Sequence, residues 1–204
     1  MKKRIIRTLA LLLVPMLLLC GCGKAADTDS TETSAAPTGE HARVRFTMVD
    51  GGTFTMELYP EYAPKTVENF LMLVRDGFYD GLTFHRVFEG FMAQGGDGES
   101  AGKSCDSIEG EFASNGFAQN TLSHTRGVVS MARTGDPNSA SSQFFICYDD
   151  APHLDGNYAA FGKVIDGMET VDAFTKVEMT YNPVDGRNTT PATPIVIASA
   201  EVVA

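Results

Sequence analysis

Residues 84–97 read Phe-His-Arg-Val-Phe-Glu-Gly-Phe-Met-Ala-Gln-Gly-Gly-Asp. This stretch contains two apolar segments of strand length, residues 83–87, which begin one residue before it, and residues 91–94. The pattern predicts two successive β-strands. Arg86 stands among apolar side chains, which marks it as a candidate functional residue. The glycines at 95, 96 and 98 are followed by Gly-Lys-Ser at 102–104, but Asp97 stands where a phosphate-binding loop has its first glycine and no helical pattern follows. We interpret them as turn glycines.

The segments on either side predict a domain that is mostly β. Residues 43–48 and 53–58 alternate polar and apolar side chains around Asp-Gly-Gly at 50–52, which is typical of a β-hairpin. Further short apolar strands are predicted at residues 128–132, 143–147, 159–164 and 195–203. Helical periodicity is confined to residues 64–76, which begin with a proline and end before Gly77, and to residues 167–174. Many short strands with only two helices favour a closed antiparallel β-barrel, with a β-sandwich as the competing fold.

Charge and aromatic content narrow the class of protein. The 204 residues allow one ordinary domain, or one domain with an appendage. The formal net charge is −10, whereas nucleic-acid-binding proteins usually carry a basic surface, so no nucleic-acid partner is expected. The aromatic residues, thirteen Phe and six Tyr, all lie at or after Phe46, and there is no Trp. Because aromatic side chains supply much of a core, the folded domain is predicted to span residues 42–204.

The start of the chain resembles the targeting segment of a bacterial lipoprotein. Basic residues at positions 2, 3, 4 and 7 precede an unbroken apolar run at residues 9–19. As a helix this run would be about 16 Å long, short of the ~30 Å hydrocarbon layer of a bilayer. It ends in Leu-Cys-Gly-Cys, which resembles a lipobox with Cys22 as the lipidated residue. We therefore expect a signal peptide at residues 1–21 and anchorage at the extracytoplasmic membrane face; an uncleaved anchor at residues 5–19 is the alternative.

Residues 22–41 are rich in Ala, Thr, Ser and acidic groups and contain no large apolar side chain, so a flexible tether is predicted. The predicted signal peptide carries four basic residues and no acidic one, so the mature chain is more acidic than the whole. An acidic domain on a tether should stand off an anionic membrane. Cys105 and Cys147 remain in the domain; export permits a disulfide, but the apolar strand around Cys147 favours free thiols.

Other kinds of chemical site are disfavoured by spacing. The histidines at positions 41, 85, 124 and 153 show neither i, i+4 spacing nor pairing with cysteine, so no metal site is predicted. No nucleophile elbow is predicted, and the serines at 139, 141 and 142 lie in an Asn/Ser-rich segment, which argues against acyl-enzyme chemistry. No cofactor is expected.

Three ordered segments resemble the signature sequences of the cyclophilins, which are peptidyl-prolyl cis-trans isomerases. They are residues 84–97, Gly-Val-Val-Ser-Met-Ala-Arg at 127–133 and Ser-Gln-Phe-Phe-Ile at 142–146. Leu-Asp-Gly at 154–156 and Phe-Gly-Lys-Val at 161–164 follow in the same order, so the resemblance covers about residues 44–203. It implies an eight-stranded antiparallel β-barrel capped by two α-helices, with the binding site on the outer surface of the barrel.

The resemblance also implies roles for individual residues. Arg86 matches the catalytic arginine of the family. The proline pocket would be formed by Phe91, Met92, Phe145 and Leu154. The peptide backbone beside it would be held by Gln94, Ala132, Arg133 and Gln143. Tyr158 stands where many cyclophilins carry a pocket-rim histidine, and His153 where cyclosporin-sensitive members carry tryptophan, so weak cyclosporin binding is expected.

The residues themselves leave alternatives open. Arg86 could be a surface ion-pair residue, and Phe91, Met92 and Phe145 could belong to the ordinary barrel core. Gln143 could be a strand residue without a ligand contact. Arg133 replaces a smaller polar residue common in the family, and the segment 134–141 is one residue longer, so the resemblance implies the backbone contacts of this segment and not its side-chain contacts.

The expected function is that of a peptidyl-prolyl isomerase that accelerates rotation of X-Pro bonds in exported proteins and assists their folding at the cell surface. A non-catalytic proline-peptide-binding module, or a holdase chaperone that uses the same groove, is the alternative. A solute-binding lipoprotein is disfavoured because the chain is short for two lobes. The expected partners are proline-containing segments of exported or unfolded proteins and the membrane, and the chain is expected to be a monomer.

Overall fold

The structure, a computed structural model, describes residues 41–203. The predicted signal peptide at 1–21, the lipidation site Cys22 and the tether as far as residue 40 lie outside the described residues. Ten strands and two α-helices are found in the described part. The strands are β1 (Arg43–Met48), β2 (Thr53–Leu58), β3 (Thr83–Phe88), β4 (Met92–Gly95), β5 (Val128–Met131), β6 (Phe144–Cys147), β7 (Ala160–Asp166), β8 (Met179–Asn182), β9 (Arg187–Pro191) and β10 (Ile195–Val203), and the helices are α1 (Pro64–Arg75) and α2 (Met168–Ala173).

Eight of these strands close into an antiparallel barrel in the order β1-β10-β3-β4-β6-β5-β7-β2. The predicted barrel is therefore confirmed, and the β-sandwich is excluded. The first hairpin shows how the alternating pattern works: Phe46 lies opposite Phe54 across β1 and β2, and their rings stack 5.0 Å apart inside the barrel. Closure pairs both edges of all eight strands, so none of them presents a free edge.

Aromatic side chains fill the interior of the barrel. Phe70 of α1 reaches the rings of Phe144 and Phe161, at centroid distances of 5.5 and 5.0 Å, so the apolar face of the helix packs on the barrel core. Tyr79 is fully buried among them, and its hydroxyl donates to the carbonyl oxygen of Ser142 at 3.0 Å. This hydrogen bond satisfies the polar atom that burial would otherwise leave without a partner.

Helix α1 is capped by a residue that is distant in sequence. Ala63 at the N-cap has no side chain that could accept a hydrogen bond, so the first amides of the helix need another acceptor. Glu111, which is 1% exposed, accepts from the backbone amides of Lys65 and Thr66 at 3.0 and 2.8 Å. It also accepts from the Thr66 hydroxyl at 2.7 Å. A negative charge at this end of the helix is also favoured by the helix dipole.

The second helix begins one residue later than predicted, at Met168. Gly167 precedes it with φ of +75°, and a Cβ atom there would lie 2.2 Å from the carbonyl oxygen of Thr53. Only glycine tolerates so close a contact with the Thr53 carbonyl. Gly167 therefore forms the turn between β7 and α2, and the helix begins after it. Among residues 41–203, neither helix is long and apolar enough to cross a membrane.

Strands β8 and β9 were not predicted. They form a separate two-stranded hairpin between α2 and β10, where sequence analysis placed no regular structure. The reason is that their side chains are exposed or half-buried, with only Thr189 buried, so no alternating apolar pattern marks them. The Asp185-Gly186 pair at the turn, with Gly186 at φ of +65°, was the one local signal of a hairpin.

Candidate active site

A second apolar cluster lies on the outside of the barrel, separate from the aromatic interior. Its buried members are Met92, Phe145, Cys147, Ala151 and Leu154, with Phe88, Phe91, Ala132 and Tyr158 packed against them. The alternative that Phe91, Met92 and Phe145 belong to the ordinary barrel core is therefore wrong. The cluster forms the floor of a surface cavity of about 450 Å³.

Most of the predicted site residues line this one cavity. They are Arg86, Phe91, Met92, Gln94, Ala132, Arg133, Phe145, Leu154 and Tyr158. Gln143 lies beside it and lines an adjoining cleft of about 140 Å³ together with Gln94, Ala132 and Arg133. His153 is exposed and is not part of the lining; its ring lies 5.7 Å from that of Phe91, at the edge of the apolar floor. His85, Asn182 and Val184 also line the cavity and were not predicted.

The register of four neighbouring strands brings the site together. Arg86 on β3 lies opposite Gln94 on β4, Gln94 lies opposite Phe145 on β6, and Phe145 lies opposite Ser130 on β5. Residues that face each other across antiparallel strands project from the same face of the sheet. The arginine, the amide and the aromatic floor are consequently held side by side on rigid strands.

A tight turn joins β3 to β4 and places Phe91 at the cavity. The Phe91 amide donates to the carbonyl oxygen of Phe88 at 2.9 Å, and Gly90 takes a φ of +76° that favours glycine. Phe91 therefore lies in the turn, and the strand predicted to begin at 91 begins at Met92. The Phe88 and Phe91 rings meet edge to face, 5.6 Å apart, which fixes Phe91 against the floor.

Arg86 is held by three hydrogen bonds. Its Nε and Nη2 donate to the two carboxylate oxygens of Asp185 at 2.8 and 2.5 Å, and its Nη1 donates to Gln94 Oε1 at 2.9 Å. Gln94 Nε2 in turn donates to Gln143 Oε1 at 2.8 Å. Arg86 thus forms an ion pair, as in the alternative that it is a surface ion-pair residue, and it also lines the cavity. The hydrogen bonds from Arg86 hold the pKa of Asp185 below its ordinary value, so that the carboxylate is charged at neutral pH.

Arg133 is held between aromatic rings. Its guanidinium carbon lies 4.5 Å from the ring centre of Tyr158 and 5.1 Å from that of Phe112. Its Nε and Nη2 donate to the carbonyl oxygen of Asn157, at 3.2 and 2.8 Å, and its Nη1 to that of Thr134 at 2.8 Å. The side chain therefore links two loops at the cavity wall and supports Tyr158 there.

A buried polar chain lies beside the floor. His124, 1% exposed, lies between Asp155, at 2.8 Å from its Nδ1, and Ser130, at 3.0 Å from its Nε2. Its ring stacks on Phe145 at a centroid distance of 6.0 Å, and burial lowers its pKa. The three residue types resemble a hydrolytic triad, but Ser130 is fully buried, so no substrate reaches it. The spacing of His124 in the sequence had pointed to no role for it, not even as a metal ligand.

Other nucleophiles are unsuited to covalent chemistry at this cavity. Burial raises the pKa of the Cys147 thiol to about 12, which leaves it protonated, and Cys105, the other free thiol among residues 41–203, does not line the cavity. Residues 98–102 read Gly-Glu-Ser-Ala-Gly, the spacing of a nucleophile elbow that sequence analysis overlooked. They form an exposed 3-10 turn, and the Ser100 hydroxyl donates to the Asp97 carbonyl oxygen. Within residues 41–203, no group of His, Cys, Asp or Glu side chains could hold a metal ion.

An apolar cavity with a fixed guanidinium and amides at its rim can bind a small apolar ring and donate hydrogen bonds to an adjacent amide. Residues 43–202 match the family described as cyclophilin type peptidyl-prolyl cis-trans isomerase/CLD. The chain is 48% identical over 139 residues to peptidyl-prolyl cis-trans isomerase-like 3 of Gallus gallus, covering 67% of this chain and 86% of that protein.

Solved structures agree with this similarity. A cyclophilin type peptidyl-prolyl cis-trans isomerase of Cryptosporidium parvum has a TM-score of 0.67 and 31% identity, covering 80% of this chain and 98% of that one. The same protein solved in the presence of the dipeptide Ala-Pro has a TM-score of 0.66 and 31% identity, covering 79% of this chain and 99% of that one. The barrel, the cavity on its outer face and these matches together place the chain in the cyclophilin family of peptidyl-prolyl cis-trans isomerases.

Proposed function

We propose that the cavity binds the proline ring of an X-Pro segment and that Arg86 lowers the barrier to rotation about the bond before it. The observation that carries this proposal is the position of Arg86 at the rim of an apolar cavity floored by Met92, Phe145 and Leu154. A related protein was solved in the presence of an Ala-Pro dipeptide, which is the smallest segment of this kind.

The size of the barrier indicates what the site has to supply. Rotation about an X-Pro bond costs ~18–20 kcal/mol because the twisted amide loses its resonance. A turnover of ~10³ per second corresponds to a barrier of ~13 kcal/mol, so the site must supply roughly 6 kcal/mol. No covalent bond breaks, so no nucleophile is needed.

The guanidinium and the apolar floor divide this task. A twisted amide has a more basic nitrogen than a planar one, and a guanidinium with fixed donors stabilises that redistribution of electrons. One hydrogen bond from a charged donor contributes about 1.5–3 kcal/mol, which is less than the whole requirement. The remainder comes from the cavity, which grips the ring in the twisted form while the preceding carbonyl swings.

The amide groups beside the cavity hold the rest of the peptide. Gln94 and Gln143 are linked to each other and to Arg86 by hydrogen bonds, so their side chains keep fixed positions at the opening between the cavity and the adjoining cleft. Ala132 and Arg133 line both spaces. A peptide whose proline occupies the cavity would lie along these four residues, with His153 and Tyr158 at the far rim.

The alternative is a binding module or holdase that uses the same cavity without turnover. A proline-isomerisation assay on the wild type, Arg86→Ala and Arg126→Ala separates the two functions. Arg126 is a matched control, because it also makes a two-oxygen contact with an aspartate, Asp172, but lines no part of the cavity. We expect only Arg86→Ala to lose activity while still binding peptide. Equal isomerisation rates for all three proteins would contradict the catalytic role of Arg86.

We further propose that the clients are exported proteins and that the domain is a monomer held at the extracytoplasmic membrane face through a lipid on Cys22. The support is the basic and apolar start of the chain, which ends in Leu-Cys-Gly-Cys. Loss of membrane association in Cys22→Ala is expected on cell fractionation. Unchanged fractionation would mean that the apolar run at residues 5–19 is itself the anchor.

A further inference from the structure

The hairpin formed by β8 and β9 places a carboxylate directly on Arg86. Asp185 lies in the turn of this hairpin, 99 residues away along the chain, and both of its oxygens accept from the guanidinium. Its side chain is 6% exposed and that of Arg86 is 25% exposed, so the pair is shielded from most of the solvent. Such two-point contacts between arginine and a carboxylate fix direction as well as distance.

Asp185 is itself held in place. The Thr189 hydroxyl of β9 donates to Asp185 Oδ2, and Thr189 is buried. Strand β9 lies against β3, the strand that carries Arg86, and the Arg187 guanidinium lies 4.6 Å over the Phe88 ring of β3. Asn182 and Val184 of the hairpin line the cavity itself. The hairpin is thus one wall of the site and a rigid support for the carboxylate.

The contact leaves Arg86 able to act on a substrate. A guanidinium has five N–H groups. Asp185 takes the Nε–H and one N–H of Nη2, and Gln94 takes one N–H of Nη1. One N–H on each terminal nitrogen remains without a partner among residues 41–203, so two donors stay available in a fixed plane. A free arginine side chain would lose this orientation to rotamer freedom.

We propose that Asp185 is a positioning residue, which orients the Arg86 guanidinium so that its two remaining donors meet the twisted amide. This inference rests on the proposed role of Arg86 in isomerisation. It predicts that Asp185 acts on turnover and hardly on peptide affinity, because the apolar cavity that grips the ring is unchanged. A carboxylate that competed with substrate for Arg86 would have the opposite effect.

The test compares kcat and KM for proline isomerisation in the wild type, Asp185→Asn and Asp185→Glu. Asp172→Asn is the matched control, because it removes a carboxylate from a similar arginine pair on α2, away from the cavity. We expect kcat of Asp185→Asn to fall roughly three- to tenfold, because a misplaced guanidinium keeps its charge, so the loss stays below the about 10- to 100-fold expected when the charged donor itself is removed. KM should stay within about twofold, Asp185→Glu should recover part of kcat, and Asp172→Asn should match the wild type.

A second readout follows the orientation of the guanidinium directly. The Nε–H of Arg86 should exchange slowly with solvent in NMR spectra of the wild type and faster in Asp185→Asn, because a neutral amide with a single acceptor oxygen replaces the carboxylate that accepts at two points. Thr189→Val, which removes only the hydroxyl behind Asp185, should give a smaller change of the same kind and serves as the deciding variant if Asp185→Asn does not fold.

The outcomes separate the two proposals. An inactive wild type would overturn the proposed function and this inference with it. An active wild type with unchanged or increased kcat in Asp185→Asn, or in Thr189→Val if the former is unfolded, would overturn the positioning role alone. A rise in KM with kcat unchanged would also overturn it, since it would show that Asp185 contributes to binding.

Discussion

Replacing Glu111 with glutamine should destabilise the domain without touching the cavity. Glu111 Oε1 accepts from the Lys65 amide, and Oε2 accepts from the Thr66 amide and hydroxyl. In Glu111→Gln one of these oxygens becomes an NH₂ group, so an N–H faces an N–H at the first turn of α1. The buried position leaves no water to replace the lost acceptor.

The magnitude follows from the groups involved. A hydrogen bond to a charged acceptor contributes about 1.5–3 kcal/mol. Loss of the negative charge at the helix N-terminus adds about 0.3–1 kcal/mol. The expected loss in the free energy of unfolding is therefore about 2–4 kcal/mol, or a drop in the unfolding midpoint of about 5–15 °C for a domain of this size.

The assay is thermal unfolding followed by circular dichroism, with Glu109→Gln as the matched control. Glu109 lies two residues away and also contacts Lys65, but its partner is the Lys65 ammonium in an exposed ion pair. Exposed pairs contribute little, so Glu109→Gln should unfold near the wild-type midpoint. A midpoint of Glu111→Gln equal to that of the control would refute the capping role.

Two further predictions concern pH and ligand. Burial lowers the pKa of His124 and of His85. As the pH falls through about 6.5, these two side chains become protonated in the unfolded chain but stay neutral in the folded protein. The free energy of unfolding, measured with urea, should be constant above about pH 6.5 and decrease as the pH falls below it, with a smaller decrease in His124→Gln; a flat profile down to pH 5.5 would contradict this. Cyclosporin should bind weakly, because the resemblance places His153 where cyclosporin-sensitive members carry tryptophan, and His153 lies outside the cavity lining. A tight dissociation constant from calorimetry would show that this position does not control binding.

The parts of the site that lie on continuous strands were predictable from sequence. Arg86, Met92 and Gln94 belong to one hairpin, and alternation along its strands places them on the outer face. Phe145 was assigned by the resemblance, and the pairing of β6 with β4 places it beside them. The resemblance to the cyclophilins implied the eight-stranded barrel, which the number and length of the strands had favoured over a sandwich without excluding the sandwich.

The parts that depend on distant contacts were missed. Asp185 lies in a hairpin whose strands have no apolar alternation, and nothing local indicates that its turn reaches Arg86. The link from Asp155 through His124 to Ser130 is likewise made by three separate segments. Arg133 was assigned to the peptide by resemblance, whereas its ring contacts with Phe112 and Tyr158 required the folded loops.

The central claim is that the Arg86 guanidinium stabilises the twisted amide. The most direct test is the rate of cis-trans exchange of a saturating X-Pro peptide on the protein, measured by NMR exchange spectroscopy for the wild type and Arg86→Ala. Loss of one hydrogen bond from a charged donor, about 1.5–3 kcal/mol, predicts a rate on Arg86→Ala that is about 10- to 100-fold slower, with the peptide still bound. An exchange rate on Arg86→Ala equal to that on the wild type would contradict the claim.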